Sequence, residues 1–326
     1  MATQDGSTEE FSFESSQARL TWEDHYKPAL KYVSLALFLT WILLPVYYTG
    51  VNSLKGPGQI FRTSLGIPYL TFDPRPFGAL IPIILGEAPL VPSSGTAQFN
   101  QLSAWRTMWE AFPFVEYLLA TTVVSVGTAG LATVAAVFSA YAFARLDFPL
   151  KTPLFVLSVM GFTFPIVLLA IPIFVLMQRL TLLNTYLGMI LAFTAFTLPY
   201  NIWLLRGFFE DLPANLEESA RVDGCTQIGA FFRVILPLSR PAIASVFLLA
   251  FLLAWHNFLM AFIIGSDPLH TTLAPAIIQL RGTFFVKNLH YIMAGTFLSM
   301  FVPILMYMYL QTHLVEGLSS GGGVKG

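Results

Sequence analysis

Charge is what this sequence has least of: only 11% of its 326 residues are Asp, Glu, Lys or Arg, against 56% that are hydrophobic. A chain so apolar cannot both enclose a core and cover it with a wetted surface, so lipid is the expected solvent for much of it. No basic run stands out and the formal net charge is -1, which removes the electrostatic footprint of a nucleic-acid binder. Cysteine is almost missing. The lone Cys225 excludes an intramolecular disulfide framework, and no Cys/His pair has the spacing zinc needs, so no metal site is expected. The first 26 residues lack the short basic opening and cleavage site of a secretory signal and carry Asp5, Glu9, Glu10, Glu14, Glu23 and Asp24 instead. The first apolar segment is therefore expected to insert the chain and be kept. Phe11, Phe13, Leu20 and Trp22 leave the tail two readings, a mobile segment or a short helix lying on the membrane surface.

What the sequence does have is long stretches free of charge. About 20 residues at 1.5 Å each cross about 30 Å of hydrocarbon. Six uncharged stretches reach that length, bounded by Lys31 and Lys55, Glu116 and Arg145, Lys151 and Arg179, Arg179 and Arg206, Arg240 and Asp267, and Lys287 and Glu316. The expected fold is thus an all-α integral membrane protein with six transmembrane helices, near 32–54, 117–143, 153–178, 181–205, 241–265 and 291–313. They form a six-span domain over 31–316, between an N-terminal tail (1–30) and a C-terminal tail (317–326). The apolar run from Phe77 to Pro92 is short and holds Pro82, Gly86, Glu87 and Pro89, so it belongs to an outer loop over 55–113. Arg19, Lys27, Lys31, Arg145, Lys151, Arg206, Arg221, Arg233, Arg240 and Lys325 fall on the side of the termini, and only Arg179, Arg281 and Lys287 oppose them outside the long outer loop. Both termini are expected in the cytoplasm of a multi-pass protein of the cell membrane.

The loop over 207–240 reads as a small structure of its own. Asp211 followed by Pro213 is a helix start, with the carboxylate placed to cap free N–H groups. Leu216, Ala220 and Val222 or Asp223 continue a short helix from Pro213 to Asp223 with its charges on the outer side. Gly224 permits a backbone angle or a close approach that a side chain forbids, and marks the turn. A second helix carries Ile228, Phe231, Phe232 and Ile235, apolar enough to lie on the membrane or on the other helices. Pro237 and Pro241 then lead into the fifth span.

Glu218, Ser219 and Ala220, then Gly224 after three residues, then Val234, Leu236 and Pro237 after nine more, resemble the EAA motif of permease subunits in ABC importers. Serine replaces an alanine and valine an isoleucine, with the spacing intact. AYAFARLDFP from Ala140, LLNTYLG from Leu182, LPYNIWLLRGFFEDLP from Leu198, RVDG from Arg221, WHNFL from Trp255 and EGLSSGGGVKG from Glu316 are similar to the carbohydrate-uptake branch, in particular to the smaller permease of maltose-type transporters. The resemblance implies a type I ABC importer fold and a cytoplasmic coupling helix, here 213–224. It also implies a second homologous permease, two ATPase subunits, an extracytoplasmic solute-binding protein and membrane lipid as partners. The solute would be a sugar, oligosaccharide or polyol. ATP and magnesium would be held by the ATPases, leaving this chain without cofactor or catalytic residues. Glu217, Glu218, Ser219, Ala220, Asp223, Gly224, Leu236 and Pro237 are the residues it marks for ATPase coupling. An ion pair from Glu218 to the ATPase is the favoured contact, while Asp223 suits that role or a structural one. The closing GGGVKG, flexible by composition, matches a tail that in maltose-type partners reaches the interface between the two ATPases.

Two other classes fit less well. A stand-alone secondary transporter or channel for a small polar solute needs ionisable groups within its spans, and apart from His256 these have none in their interior. A membrane enzyme needs clustered His, Asp or Glu, whereas His25, His270, His290 and His313 are scattered. His256 and Asn257 fall near the middle of the fifth span, where an interhelical hydrogen bond is the expected use. Pro165 and Pro172 are expected to kink the third span. Phe162, Phe164, Phe174, Phe193 and Phe196 suit packing or lipid better than sugar stacking, and no substrate residue is assigned. The outer loop is longer than this family usually shows, and its Pro, Gly and aromatic residues suit an ordered cap that meets an external partner.

Overall fold

The computed structural model describes residues 27–53, 109, 112–267, 270–279 and 285–321. The expectations for the opening tail, for nearly all of the outer loop and for residues 322–326 lie outside them. Among the described residues all regular structure is helical. In chain order the helices are α1 (Lys27–Ser53), α2 (Phe114–Arg145), α3 (Lys151–Thr163), α4 (Ile166–Arg179), α5 (Tyr186–Asp211) and α6 (Asn215–Val222). They continue with α7 (Gln227–Leu238), α8 (Arg240–Trp255), α9 (Leu259–Ile264), α10 (Leu273–Gln279), α11 (Phe285–Ser299) and α12 (Phe301–Gly321). Four are long and apolar enough to cross a membrane: α1 from Leu30, α2, α5, and the stretch Tyr291–Gln311 over α11 and α12. The bent pairs α3–α4 and α7–α8 bring the total among described residues to as many as six.

The centre is α2, because its inward face is built of small residues. Ala120, Val124, Thr128, Ala132, Ala136 and Ala140 form one buried row at intervals of four, and Thr121, Ser125, Ala129, Thr133, Val137 and Tyr141 form the row beside it. Such rows let neighbouring helices approach closely, which is how helices hold together where apolar burial from water gives little. α5 takes one side with Met189, Ala192, Phe193, Ile202, Leu205 and Phe209, and α8 takes the other with Leu248, Ala250, Phe251 and Trp255. α12 closes on α8 through Val302, Met306 and Leu310, again at intervals of four. By contrast α1, which packs on α11, leaves Leu37, Phe38 and Trp41 exposed. An apolar helix so open must be covered by something other than water.

Two expected features of the spans come out differently. The third segment is not one kinked helix but two, α3 and α4, meeting at 102°. Phe164 precedes a proline and is extended (φ -70°, ψ 132°), and Pro165 has no N–H to offer the turn before it, so the helix stops there. Pro172 instead stays inside α4. The other difference is at His256 and Asn257, which stand in the gap between α8 and α9 rather than within a helix. Among the described residues neither makes an interhelical bond: His256 Nδ1 donates to the Leu252 carbonyl at 2.8 Å, and Asn257 Oδ1 accepts from the Met260 amide at 3.1 Å. Each polar side chain satisfies the loose backbone of its own break, which an apolar interior demands.

The LLNTYLG segment shows why its residues are spaced as they are. Asn184 has φ 56°, a left-handed value that asparagine tolerates, and its Oδ1 accepts from the Asp267 amide at 3.1 Å, tying the end of α9 to the start of α5. Thr185 caps α5 by accepting from the Gly188 amide at 3.0 Å. A Cβ on Gly188 would fall against the Leu182 carbonyl oxygen. Because the obstacle is backbone, Gly188→Ala should cost on the order of 1–3 kcal/mol. The expected result is an apparent melting temperature lowered by several degrees in detergent, and an unchanged value would show that the turn yields.

Candidate coupling loop

The loop between α5 and α8 hangs from the end of α2. α5 runs further than expected, through Asp211, so this residue closes one helix instead of capping the next. Its end is set by Pro213, which forces Leu212 into extended backbone (φ -69°, ψ 134°). α6 then begins at Asn215 without a side-chain cap and is shorter than the expected 213–223. Eight residues at 1.5 Å give a rod of about 12 Å.

The stop of α6 is a Schellman motif. The Gly224 amide donates to the Arg221 carbonyl at 3.1 Å and the Cys225 amide to the Ala220 carbonyl at 3.0 Å, with Gly224 at φ 89°. Of the two uses open to Gly224, the backbone angle is the one that applies, since no atom lies within 4 Å of where its Cβ would be. Thr226 starts α7 by accepting from the Gly229 amide at 3.0 Å. Across residues 231–235 α7 widens to a π-helix, in which the Leu236 amide reaches the Phe231 carbonyl five residues back. Pro237 follows directly. A proline has no amide for the carbonyl four residues earlier and its ring crowds that carbonyl, so a locally wider turn is a natural accommodation. α7 and α8 then meet at 72° around Ser239, fully buried, whose hydroxyl donates to the Ile235 carbonyl at 2.7 Å.

Among the eight expected coupling residues three environments separate. Glu218, Ser219, Asp223 and Gly224 are exposed on α6 and its turn. Glu217 and Ala220 point inward, which corrects the expectation that the charges of α6 all lie outside. Glu217 is 9% exposed and is the one charged side chain among those described that is buried. Tyr141, at the end of α2, donates to its Oε1 at 2.8 Å. Leu236 and Pro237 are away from α6, beside Arg240 and Phe232 in a separate groove that also reaches Tyr309 and Leu310.

Three features of the loop were hidden in the sequence. Val222 and Asp223, the two candidates to continue the row of Leu216 and Ala220, are both exposed, Val222 at 86%; Ile228 is 72% exposed, while Phe231 and Ile235 are buried in the core. Glu218, Arg221, Val222, Cys225, Thr226 and Gln227 together line a shallow depression open to solvent. Tyr141 belongs to the AYAFARLDFP stretch, and its ring lies 4.4 Å from that of Phe231 and 6.1 Å from that of Phe209. One turn later Arg145 donates to the Leu212 carbonyl. An exposed valine ringed by polar side chains on a short helix suits a protein contact, and no metal-holding cluster occurs among the described residues.

A cavity of about 170 Å3 lies where the two helix breaks meet, lined by Phe162 and Phe164 on one side, Phe196 and Thr197 of α5 on another, and Asn257.

Residues 132–320 match the protein family described as binding-protein-dependent transport system inner membrane component. Over 210 residues the chain is 35% identical to the sulfoquinovosyl glycerol transport system permease protein SmoH of Agrobacterium fabrum, covering 64% of this chain and 73% of that one. Over 242 residues it is 32% identical to the trehalose transport system permease protein SugB of Mycobacterium tuberculosis, covering 74% and 86% respectively. In fold it is similar to a chain in the crystal structure of a bacterial ABC transporter involved in the import of the acidic polysaccharide alginate, with a TM-score of 0.62 at 19% identity, over 90% of this chain and 97% of that one.

Proposed function

Because this chain belongs to the family of binding-protein-dependent transport system inner membrane components, we propose that α6 and the Gly224 turn are where ATPase subunits act on it to drive sugar import. The chain is the permease subunit of an ABC importer, and its family implies an ATPase and a solute-binding protein as partners. The observation that carries the role of α6 is its geometry. It is a short rod fixed to α2 on one side, stopped by a left-handed glycine, and bare on the other side at Glu218, Ser219, Arg221 and Val222. A conformational change driven from outside the chain needs contacts that differ between two states, and closure of an ATPase pair on ATP and magnesium supplies them at this face. Glu218, exposed and at the rim, is placed for an ion pair with the ATPase, and Asp223 stands beside it at the helix end.

The solute is a sugar, oligosaccharide or polyol, in keeping with relatives named for sulfoquinovosyl glycerol and trehalose. The second permease is a homologous chain. α3 has no buried residue and α4 exposes Val167, Leu168 and Ile171, so the two offer an apolar face for that chain and for lipid to cover. Arg145, Lys151, Arg206, Arg221, Arg233 and Arg240 gather at the α6 end, which supports a cytoplasmic location for that end and for both termini. This chain does no catalysis. ATP and magnesium belong to the ATPases.

Purification from native membranes should recover the ATPase and a second permease with this chain. In liposomes the assembled complex should hydrolyse ATP faster when a sugar-loaded binding protein is added, and this chain alone should transport nothing. Recovery without any ATPase, or transport by the chain alone, would overturn the proposal.

A further inference from the structure

α6 can act as a lever only if its rotation is passed to the helices that line the path, and its own apolar anchorage is slight. Of its eight residues, Ala220 and Glu217 are the buried ones. Leu216 is half-buried and Ala220 contributes little area and no direction, so the directional hold on α6 comes from Glu217. The partner of that carboxylate is on the long central helix, where the Tyr141 hydroxyl donates to Glu217 Oε1 at 2.8 Å. Tyr141 meets the loop on its other limb as well, with the side-chain amide of Gln227 beside its hydroxyl and Phe231 against its ring. Phe209 of α5 packs on the same ring edge to face, at 87°. The last turn of α2 thus touches the loop before α6 through Arg145 and Leu212, within α6 through Glu217, and after the glycine turn through Gln227 and Phe231.

We infer that Tyr141 and Glu217 are positioning residues that pass the movement of the coupling helix to α2. The inference rests on the proposed role of α6. The contact is a single short hydrogen bond to a carboxylate, directional where alanine packing is not, and it joins the loop to the helix on which α5, α8 and α10 all pack. With the bond in place α6 and α2 turn together. Without it the ATPases still close on α6, and the helix swivels on its glycine turn while α2 stays behind.

The test uses the full transporter in liposomes and measures ATP hydrolysed per solute imported. Tyr141→Phe keeps the ring and its stacking and removes only the donor. The complex should assemble as the unaltered one does, and its ratio of ATP to solute should rise at least about fivefold. Glu217→Gln keeps an acceptor for the tyrosine and should stay close to the unaltered ratio, while Glu217→Ala should behave like Tyr141→Phe. An unchanged ratio in Tyr141→Phe overturns the inference, as does a Tyr141→Phe complex that fails to assemble, since the pair would then hold the fold rather than pass motion. A ratio in Glu217→Gln as high as in Glu217→Ala also overturns it. The unaltered complex separates this result from the reading beneath it: if it shows no ATPase subunit and no solute-stimulated hydrolysis, the role of α6 falls first.

Discussion

Replacing Gly224 by valine is expected to leave the protein in the membrane and to abolish most solute-stimulated ATP hydrolysis by the assembled transporter. The position has φ 89° and open space around it, so the whole effect comes from backbone strain and none from a clash. A β-branched residue held at such an angle costs on the order of 1–3 kcal/mol. The two amide bonds that end α6 run through this turn, from Gly224 to Arg221 and from Cys225 to Ala220. Relief of the strain breaks them and lets α6 leave its fixed angle. A loss of about 1.4 kcal/mol in the productive arrangement is already tenfold, so the stimulated rate should fall by about tenfold or more while the amount of chain in the membrane changes little. Gly224→Asn should lose less, because asparagine enters left-handed backbone more readily. Equal losses for valine and asparagine would point away from the backbone angle, and full activity in the valine variant would remove the turn from the mechanism.

Val222→Asp should release the ATPase subunits and spare the fold. Val222 is 86% exposed in the isolated chain, so the substitution costs this chain almost nothing. Full burial of a valine against a partner is worth about 1.5–3 kcal/mol, and a buried unpaired carboxylate in its place costs more. Affinity for the ATPase should fall by roughly tenfold to a hundredfold, read as loss of the ATPase from the purified complex with the second permease still present. Ile228→Asp decides how far the surface extends past the turn. Loss of ATPase there too would put both limbs of the loop in the contact, whereas normal assembly would confine it to α6. Retention of the ATPase in Val222→Asp would show that α6 does not seat on it through this side chain.

Much of the loop was legible from local rules. The Asp-Gly pair at 223–224, after a run of helix-forming residues, announces a helix end. The start of α5 was less legible: the uncharged run put it near 181, whereas Thr185 caps the helix by accepting from the Gly188 amide. Asp211 misled because a carboxylate before a proline suits the start of one helix as well as the end of another. Which it became depended on α5 staying packed on α2 as far as Phe209. Val222 misled for a related reason. In eight residues the apolar positions are too few to fix a face, and it was Glu217, drawn in by Tyr141, that turned the helix and left Val222 outside.

The sequence by itself determined that this chain is a bundle of apolar helices, since uncharged runs of that length have no place in water and backbone in lipid must bond within its own segment. Through the spacing of Glu218, Gly224 and Pro237 it also located the loop that marks the family. Only the tertiary structure decided that the third segment breaks at Pro165, that His256 and Asn257 serve the gap between α8 and α9, and that Tyr141 holds Glu217 across 76 positions of chain. Those outcomes depend on which groups meet in space. Periodicity and capping report on neighbours within a turn or two of helix, and a hydrogen bond between α2 and α6 exists only once α5 has brought the loop back to the end of α2.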